Sequence, residues 1–221
     1  RIEEEKRAED LRIEEEEKDQ KRFELEFPDL TGILKNPTYE QSSRERLSEN
    51  IKKLQITREE ELVTARTFRT QFTKHKSRND PDRRSDIDKG RKVLEFLWEC
   101  DQYWWSYAPS IIEQWEEVFR EYKNYPSNDP VRIIDYGCGQ GLATLCILDK
   151  FYYKDKTQIL DITLVEKSSL TLGLAKTLLN VHSPEIAKVK IKSFNEDVDN
   201  LPTEFFKSDP KAITIHLFSS I

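Results

Sequence analysis

The sequence predicts an α/β protein: a parallel sheet made of strand–helix–strand units, preceded by an all-helical region. Three observations carry this reading. Short apolar runs at Val131–Asp135, Ile159–Glu166, Val189–Ser193 and Ala212–Phe218 are separated by helical patterns at 142–152 and 168–181. Strands that alternate with helices pair in parallel through right-handed crossovers. Before residue 129, apolar residues recur at three and four, the helical period. Half of the chain's 6 glycines, Gly137, Gly139 and Gly141, fall within five positions between the first strand and the first helix that follows it. Glycines packed that densely mark a backbone that turns sharply and that something approaches closely.

Taken in order, residues 1–26 carry 12 acids and 7 bases. Pairs such as Glu3–Arg7, Glu14–Lys18 and Glu17–Lys21 stand four apart with the acid first, the order that supports a helix. The few apolar residues keep no heptad, so the segment reads as a solvated charged helical arm; recruitment of a protein partner is its second reading. Residues 27–128 read as a helical region. Pro28, Gly32 and Pro37 punctuate its start, and Leu47, Ile51 and Leu54 lie at helical spacing. Thr57 with Glu60 has the form of a capping box, predicting a helix from there towards Lys76. Ser77–Asp86 is a loop by composition. Ile87–Tyr107 is predicted helical, with another helix from Pro109 bearing Ile112, Trp115 and Phe119. Asn124–Pro130 is a linker. The aromatic run from Asp101 to Trp115 reads as core, with Tyr103 or Tyr107 as an alternative lid over a ligand.

The bulk numbers exclude several classes. With 35% charged residues, net charge −6 and no apolar run near the roughly 20 residues that a span requires, the chain has neither a membrane helix nor a general attraction for nucleic acid. Arg66–Lys92 is locally basic, ten Lys/Arg against four acids. A solvated helix and loop is the reading preferred there over contact with phosphates. Cys100, Cys138 and Cys146 lack metal-ligand spacing and read as free thiols of a reducing, cytoplasmic compartment, so no metal site is expected. The chain does not begin with Met and contains none, which reads as a fragment or an engineered form.

In the unit VRIIDYGCGQG, Gly137 suits a left-handed turn, Gly139 a ligand against the backbone, and Gly141 close packing of a helix. The spacing is G-x-G-x-G. The dinucleotide fingerprint G-x-G-x-x-G is broken by Leu142, and the phosphate loop ending in Gly-Lys-Ser/Thr is absent. IIDYGCGQG resembles the nucleotide-site strand of the class I S-adenosylmethionine-dependent methyltransferases. Two further matches are Glu166, the acid closing TLVE, and Asp197 with Leu201-Pro202 in NEDVDNLP. Asp135 to Glu166 is 31 residues, longer than the roughly 20 of a compact nucleotide unit; the polar stretch Tyr153–Gln158 absorbs the excess.

That resemblance covers about Val131–Ile221 and implies the following. The fold is Rossmann-like, with strand order 3-2-1-4 in the part present and further strands beyond it. Residues 129–221 form an incomplete S-adenosylmethionine-binding domain. Asp135 helps hold the amino group of the methionine part; Gly137, Cys138, Gly139 and Gly141 form the loop. Glu166 accepts from both ribose hydroxyls, Asp197 from the adenine amino group, and the Val198 N–H donates to the ring. The activity is methyl transfer to an unidentified acceptor. His216 and Ser219 are the candidate catalytic residues after the fourth strand, with a structural role for His216 the plainer reading. The rival function is a non-catalytic methyltransferase-like scaffold whose arm recruits a partner, and a third is another nucleotide-dependent α/β enzyme.

Overall fold

The computed structural model describes residues 2–60, 62–74, 87, 92–121, 129–182, 189–206 and 212–218. Six helices come first: α1 (Ile2–Glu26), α2 (Pro28–Lys35), α3 (Gln41–Glu60), α4 (Ala65–Thr73), α5 (Leu97–Ser106) and α6 (Ala108–Glu121). Then follow β1 (Val131–Tyr136), α7 (Leu142–Leu148), β2 (Ile159–Val165), α8 (Ser169–His182), β3 (Lys190–Phe194) and β4 (Ile213–Leu217). The four strands form one parallel sheet in the order β3-β2-β1-β4. This is the α/β class expected from the alternation of elements, with the strand order that the resemblance implies.

The central strands β1 and β2 are near-continuous apolar runs because both of their faces are covered. Ile133, Ile162, Leu164 and Leu217 face α7 and α8 and join the main core. Ile134, Tyr136 and Val165 face the other way, beneath Phe194, Val198, Leu201 and Phe205. The main core runs on without a break into the helical half through Phe27, Leu30, Ile51, Phe68 and Trp104.

Helices α2 and α3 pack on α8. Lys176 pairs with Asp29 at 2.7 Å, and Arg58 donates to the Asn180 carbonyl at 3.0 Å. On the other side, Asp149 accepts from the Ala65 N–H at 2.9 Å and meets His182 Nε2 at 2.9 Å, joining the start of α4 to the ends of α7 and α8.

Several sequence expectations are corrected. Thr57 does not begin a helix: α3 runs through it to Glu60, and its hydroxyl donates back to the Lys53 carbonyl at 3.0 Å. Burial of Leu47, Ile51 and Leu54 on one stripe keeps α3 whole against that local signal. The capping box lies at Thr64 and Thr67 and starts α4. Thr64→Ala is therefore expected to cost about 1 kcal/mol, read by urea unfolding, whereas Thr57→Ala leaves stability nearly unchanged.

Pro28 does not interrupt the helical pattern but opens α2, where its missing N–H has no helical partner to lose, and Gly32 lies inside that helix. Helix α5 begins only at Leu97; residues 92–96 are non-helical, and Val93 and Phe96 are exposed rather than on a buried stripe. The buried Glu99 fixes that start by accepting from the Glu95 and Phe96 N–H groups at 2.7 and 3.0 Å. After α7 the helix widens into a π-helical turn at Asp149–Lys154, within which the polar insertion begins. The predicted loop Ser77–Asp86 and most of the linker lie outside the described residues.

Candidate functional site

The site grows from the end of β1. Gly137, Gly139 and Gly141 have φ of 62°, 52° and 77°, left-handed values that side-chain-bearing residues adopt at a cost. The turn they make is closed by the Gly141 N–H donating to the Cys138 carbonyl at 2.8 Å. A Cβ on Gly139 would meet nothing within 4 Å, so this peptide faces open space. A Cβ on Gly141 would lie 3.2 Å from the Ala175 Cβ. The close approach is therefore between the turn and α8, the second helix of the sheet, and not between α7 and its own strand.

Glu166, one residue beyond β2, ties the turn to the next strand. Its Oε2 accepts from the Gly139 N–H at 2.8 Å, and its Oε1 from the Ser168 N–H at 2.9 Å. Each carboxylate oxygen has two lone pairs, so both retain capacity for a second donor.

A cavity of about 320 Å³ opens beside this pair. Gly137, Gly139 and Glu166 line one side. Asp197, Val198 and their neighbours Glu196 and Asp199 line another, and Lys92, Leu94 and Tyr103 come from the helical half. Asp197 caps a short 3₁₀ turn by accepting from the Asp199 N–H at 3.2 Å and pairs with Lys167. Lys167, by its hydrogen bond and its charge, draws the Asp197 carboxyl below its ordinary range. The wall carries four carboxylates, Glu166, Glu196, Asp197 and Asp199, against two ammonium groups, Lys92 and Lys167. Lys92 is paired with Glu99 and Lys167 with Asp197, so the cavity is acidic on balance.

The remaining expected residues stand behind this wall or apart from it. Cys138 is buried under the turn, where desolvation pushes its thiol up and keeps it protonated. Its N–H donates to the Val165 carbonyl at 3.0 Å. Asp135 is fully buried on the α7 side. Thr144 donates to its Oδ2 at 2.7 Å, while Oδ1 has no hydrogen-bond partner. Burial raises its carboxyl to about 7. Because the native value lies above that of the unfolded chain, the protonated form favours folding. Stability should fall as pH rises from about 4 to about 7. Asp135→Asn is expected to flatten that slope, measured as unfolding midpoints across this range.

His216 lies on the second face of the sheet. Its Nδ1 is 3.0 Å from the Tyr136 hydroxyl, and its ring stacks on Tyr136. It is not part of the cavity wall. Ser219 lies outside the described residues, as do most of the basic residues of Arg66–Lys92. Of the others in that stretch, Arg66 is held by both oxygens of Glu116, at 2.7 and 2.5 Å. The three cysteines are free and buried, and among the described residues no cluster could hold a metal ion. No helix among them is long and apolar enough to cross a membrane.

The aromatic run is largely core, and one of its residues also reaches the cavity. Trp104 is core, stacked on Phe72 at 5.2 Å, while Tyr103 lines the cavity. Gln140 was missed altogether. Lying between two glycines, it carried no sequence signal of its own, yet it is 2% exposed and bonded at both ends of its amide.

No family model and no curated protein matches the chain. Among solved structures it is similar to the plantazolicin methyltransferase BpumL in complex with SAH, at 18% identity and a TM-score of 0.29, over 71% of this chain and 45% of that one. It is also similar to BpumL in complex with a monoazolic desmethylPZN analog and SAH, at 18% identity and a TM-score of 0.30 over the same shares. The chain thus spans less than half the length of either structure.

Proposed function

We propose that this chain binds S-adenosylmethionine in the cavity beside Gly139 and Glu166 and serves methyl transfer. The observation that carries the proposal is the bond from the Gly139 N–H to Glu166 Oε2, which sets the glycine turn and the acid of the second strand side by side along one cavity. The residues present fit the group. The open face over Gly139 admits a ligand against the backbone. The unused lone pairs of Glu166 suit the vicinal hydroxyls of a ribose. Val198 supplies an apolar edge, and Asp197 an acceptor, in the wall of the same cavity. The acidic wall suits a ligand with a sulfonium and an ammonium and opposes a pyrophosphate, which weighs against a dinucleotide.

When bound, the sulfonium supplies an activated methyl group for displacement by a nucleophile. The contribution of this chain is to hold the adenosyl portion in one place. Positioning of that kind removes part of the entropic barrier of a two-body reaction. Asp135, buried and hydrogen-bonded to Thr144, holds the end of β1 beneath the turn. A proton acceptor is needed only where the nucleophile is protonated, and no residue of the cavity wall is assigned that role.

Calorimetry with S-adenosylmethionine, S-adenosylhomocysteine and NAD tests the reading. Binding of the first two and not the third is the expected result. Binding of NAD alone, or of none, would set the proposal aside. Transfer of labelled methyl to bulk RNA, DNA or protein then separates an enzyme from a scaffold.

A further inference from the structure

Gln140 does not touch the cavity, yet it fastens one wall of it. Its Oε1 accepts from the Trp104 indole N–H at 2.9 Å, and its Nε2 donates to the Cys100 carbonyl at 3.1 Å. Both partners belong to α5, which carries Tyr103 into the cavity wall. Trp104 is fully buried and Cys100 nearly so, and water cannot replace either bond. A second fastening stands beside it: the Ser168 hydroxyl, just before α8, donates to the carbonyl of Leu94, another wall residue. On the other side, Gln140 is flanked by Gly139 and Gly141, whose left-handed backbone aims its side chain at α5.

The chemistry of the bridge is selective. An amide offers a donor and an acceptor on one planar group, matching one indole N–H and one carbonyl. Leucine offers neither; glutamate offers no donor to the carbonyl.

We propose that Gln140 is a positioning residue that makes the segment 92–106 a fixed wall of the adenosyl cavity, so that ligand affinity depends on a bond made outside that cavity. This rests on the ligand reading above. On that reading, the helical half is not a lid that closes after binding. Displacing α5 would withdraw Tyr103 and free the turn that presents the Gly139 N–H.

The test uses the full chain with S-adenosylmethionine and S-adenosylhomocysteine as probes, titrated well below the lowest unfolding midpoint of any variant. Gln140→Leu leaves a buried indole N–H and a buried carbonyl without partners. It is expected to weaken both probes about tenfold. Trp104→Phe removes the donor while keeping an aromatic ring in the core, at the cost of the volume of the smaller ring, and serves if the first variant does not fold. The double variant should bind about as well as Gln140→Leu alone, because the two residues act through one bond.

Variants that melt earlier yet bind like the wild type under these conditions would show a purely structural bridge and overturn the proposal. If the wild type binds neither probe, the ligand reading fails separately, and hydrogen exchange decides the fastening. Faster exchange in Leu97–Ser106 of the Gln140→Leu or Trp104→Phe variant, with Ser169–His182 unchanged, supports the fixed wall. Unchanged exchange in both helices overturns it.

Discussion

Glu166→Ala is expected to lower the affinity for S-adenosylmethionine on the order of 100-fold or more. On the proposed binding mode, two hydrogen bonds from ribose hydroxyls to the carboxylate would be lost, each worth about 1.5–3 kcal/mol, and every 1.4 kcal/mol is tenfold in affinity. The Gly139 and Ser168 N–H groups also lose their acceptor, so the turn itself loosens. Glu166 is only half-buried, however, so the unfolding midpoint should move less than the affinity. Glu166→Gln retains a carbonyl oxygen that can accept from one of these N–H groups and should fall between the two. Titration calorimetry on the three proteins checks this order. An alanine variant that binds as tightly as the wild type would remove Glu166 from the site.

Gly141→Val is expected to destabilise the fold by about 2–5 kcal/mol. Forcing a side chain into the left-handed region costs about 1–2 kcal/mol. Overpacking against a fixed neighbour costs about 1–3 kcal/mol more. The neighbour here is the Ala175 Cβ at 3.2 Å with its Cα at 3.5 Å, and a helix backbone cannot turn aside as a flexible side chain can. For a chain of this size that corresponds to a fall of roughly 10 °C in the unfolding midpoint. Gly32 supplies the contrast. It lies inside α2, is exposed, and has nothing within 4 Å of an added Cβ. Gly32→Ala should raise stability by about 0.5–1 kcal/mol. Thermal unfolding of the two variants side by side reads both signs, and a tolerated valine at 141 would show that the turn relaxes.

The parts legible in the sequence were those fixed by local pattern. Each strand was a compact apolar run, and the DYGCGQG turn announced its backbone through its glycines, because few other residues accept three left-handed dihedrals in five positions. Glu166 was legible from its place at the end of β2.

What was hidden depended on distant partners. Thr57 and Glu60 have the spacing of a capping box, but the buried stripe of α3 outweighs that local signal. Residues 92–96 look helical by composition, yet Glu99 turns back on its own N-terminal side and sets the helix start at Leu97. The burial of Asp135 beside Thr144 is set by α7, which no strand pattern could reveal. Tyr103 and Gln140 depend on how α5 lies across the turn, a contact between segments about forty residues apart.

The seating of α2 and α3 on α8 bears on how the chain acquires its shape. Asp29 waits for Lys176, Arg58 for the Asn180 carbonyl, and Ile33 for Gly173, whose missing side chain leaves room for its Cδ1. These partners are separated by well over a hundred residues, so the faces that α2 and α3 turn to α8 are covered only once the second strand–helix unit has been synthesised. At about 5–20 residues per second on the ribosome, that is many seconds of exposed apolar surface. Long-range closure of this kind slows folding relative to a bundle of neighbouring helices. Those faces of α2 and α3 are thus made long before they are sheltered.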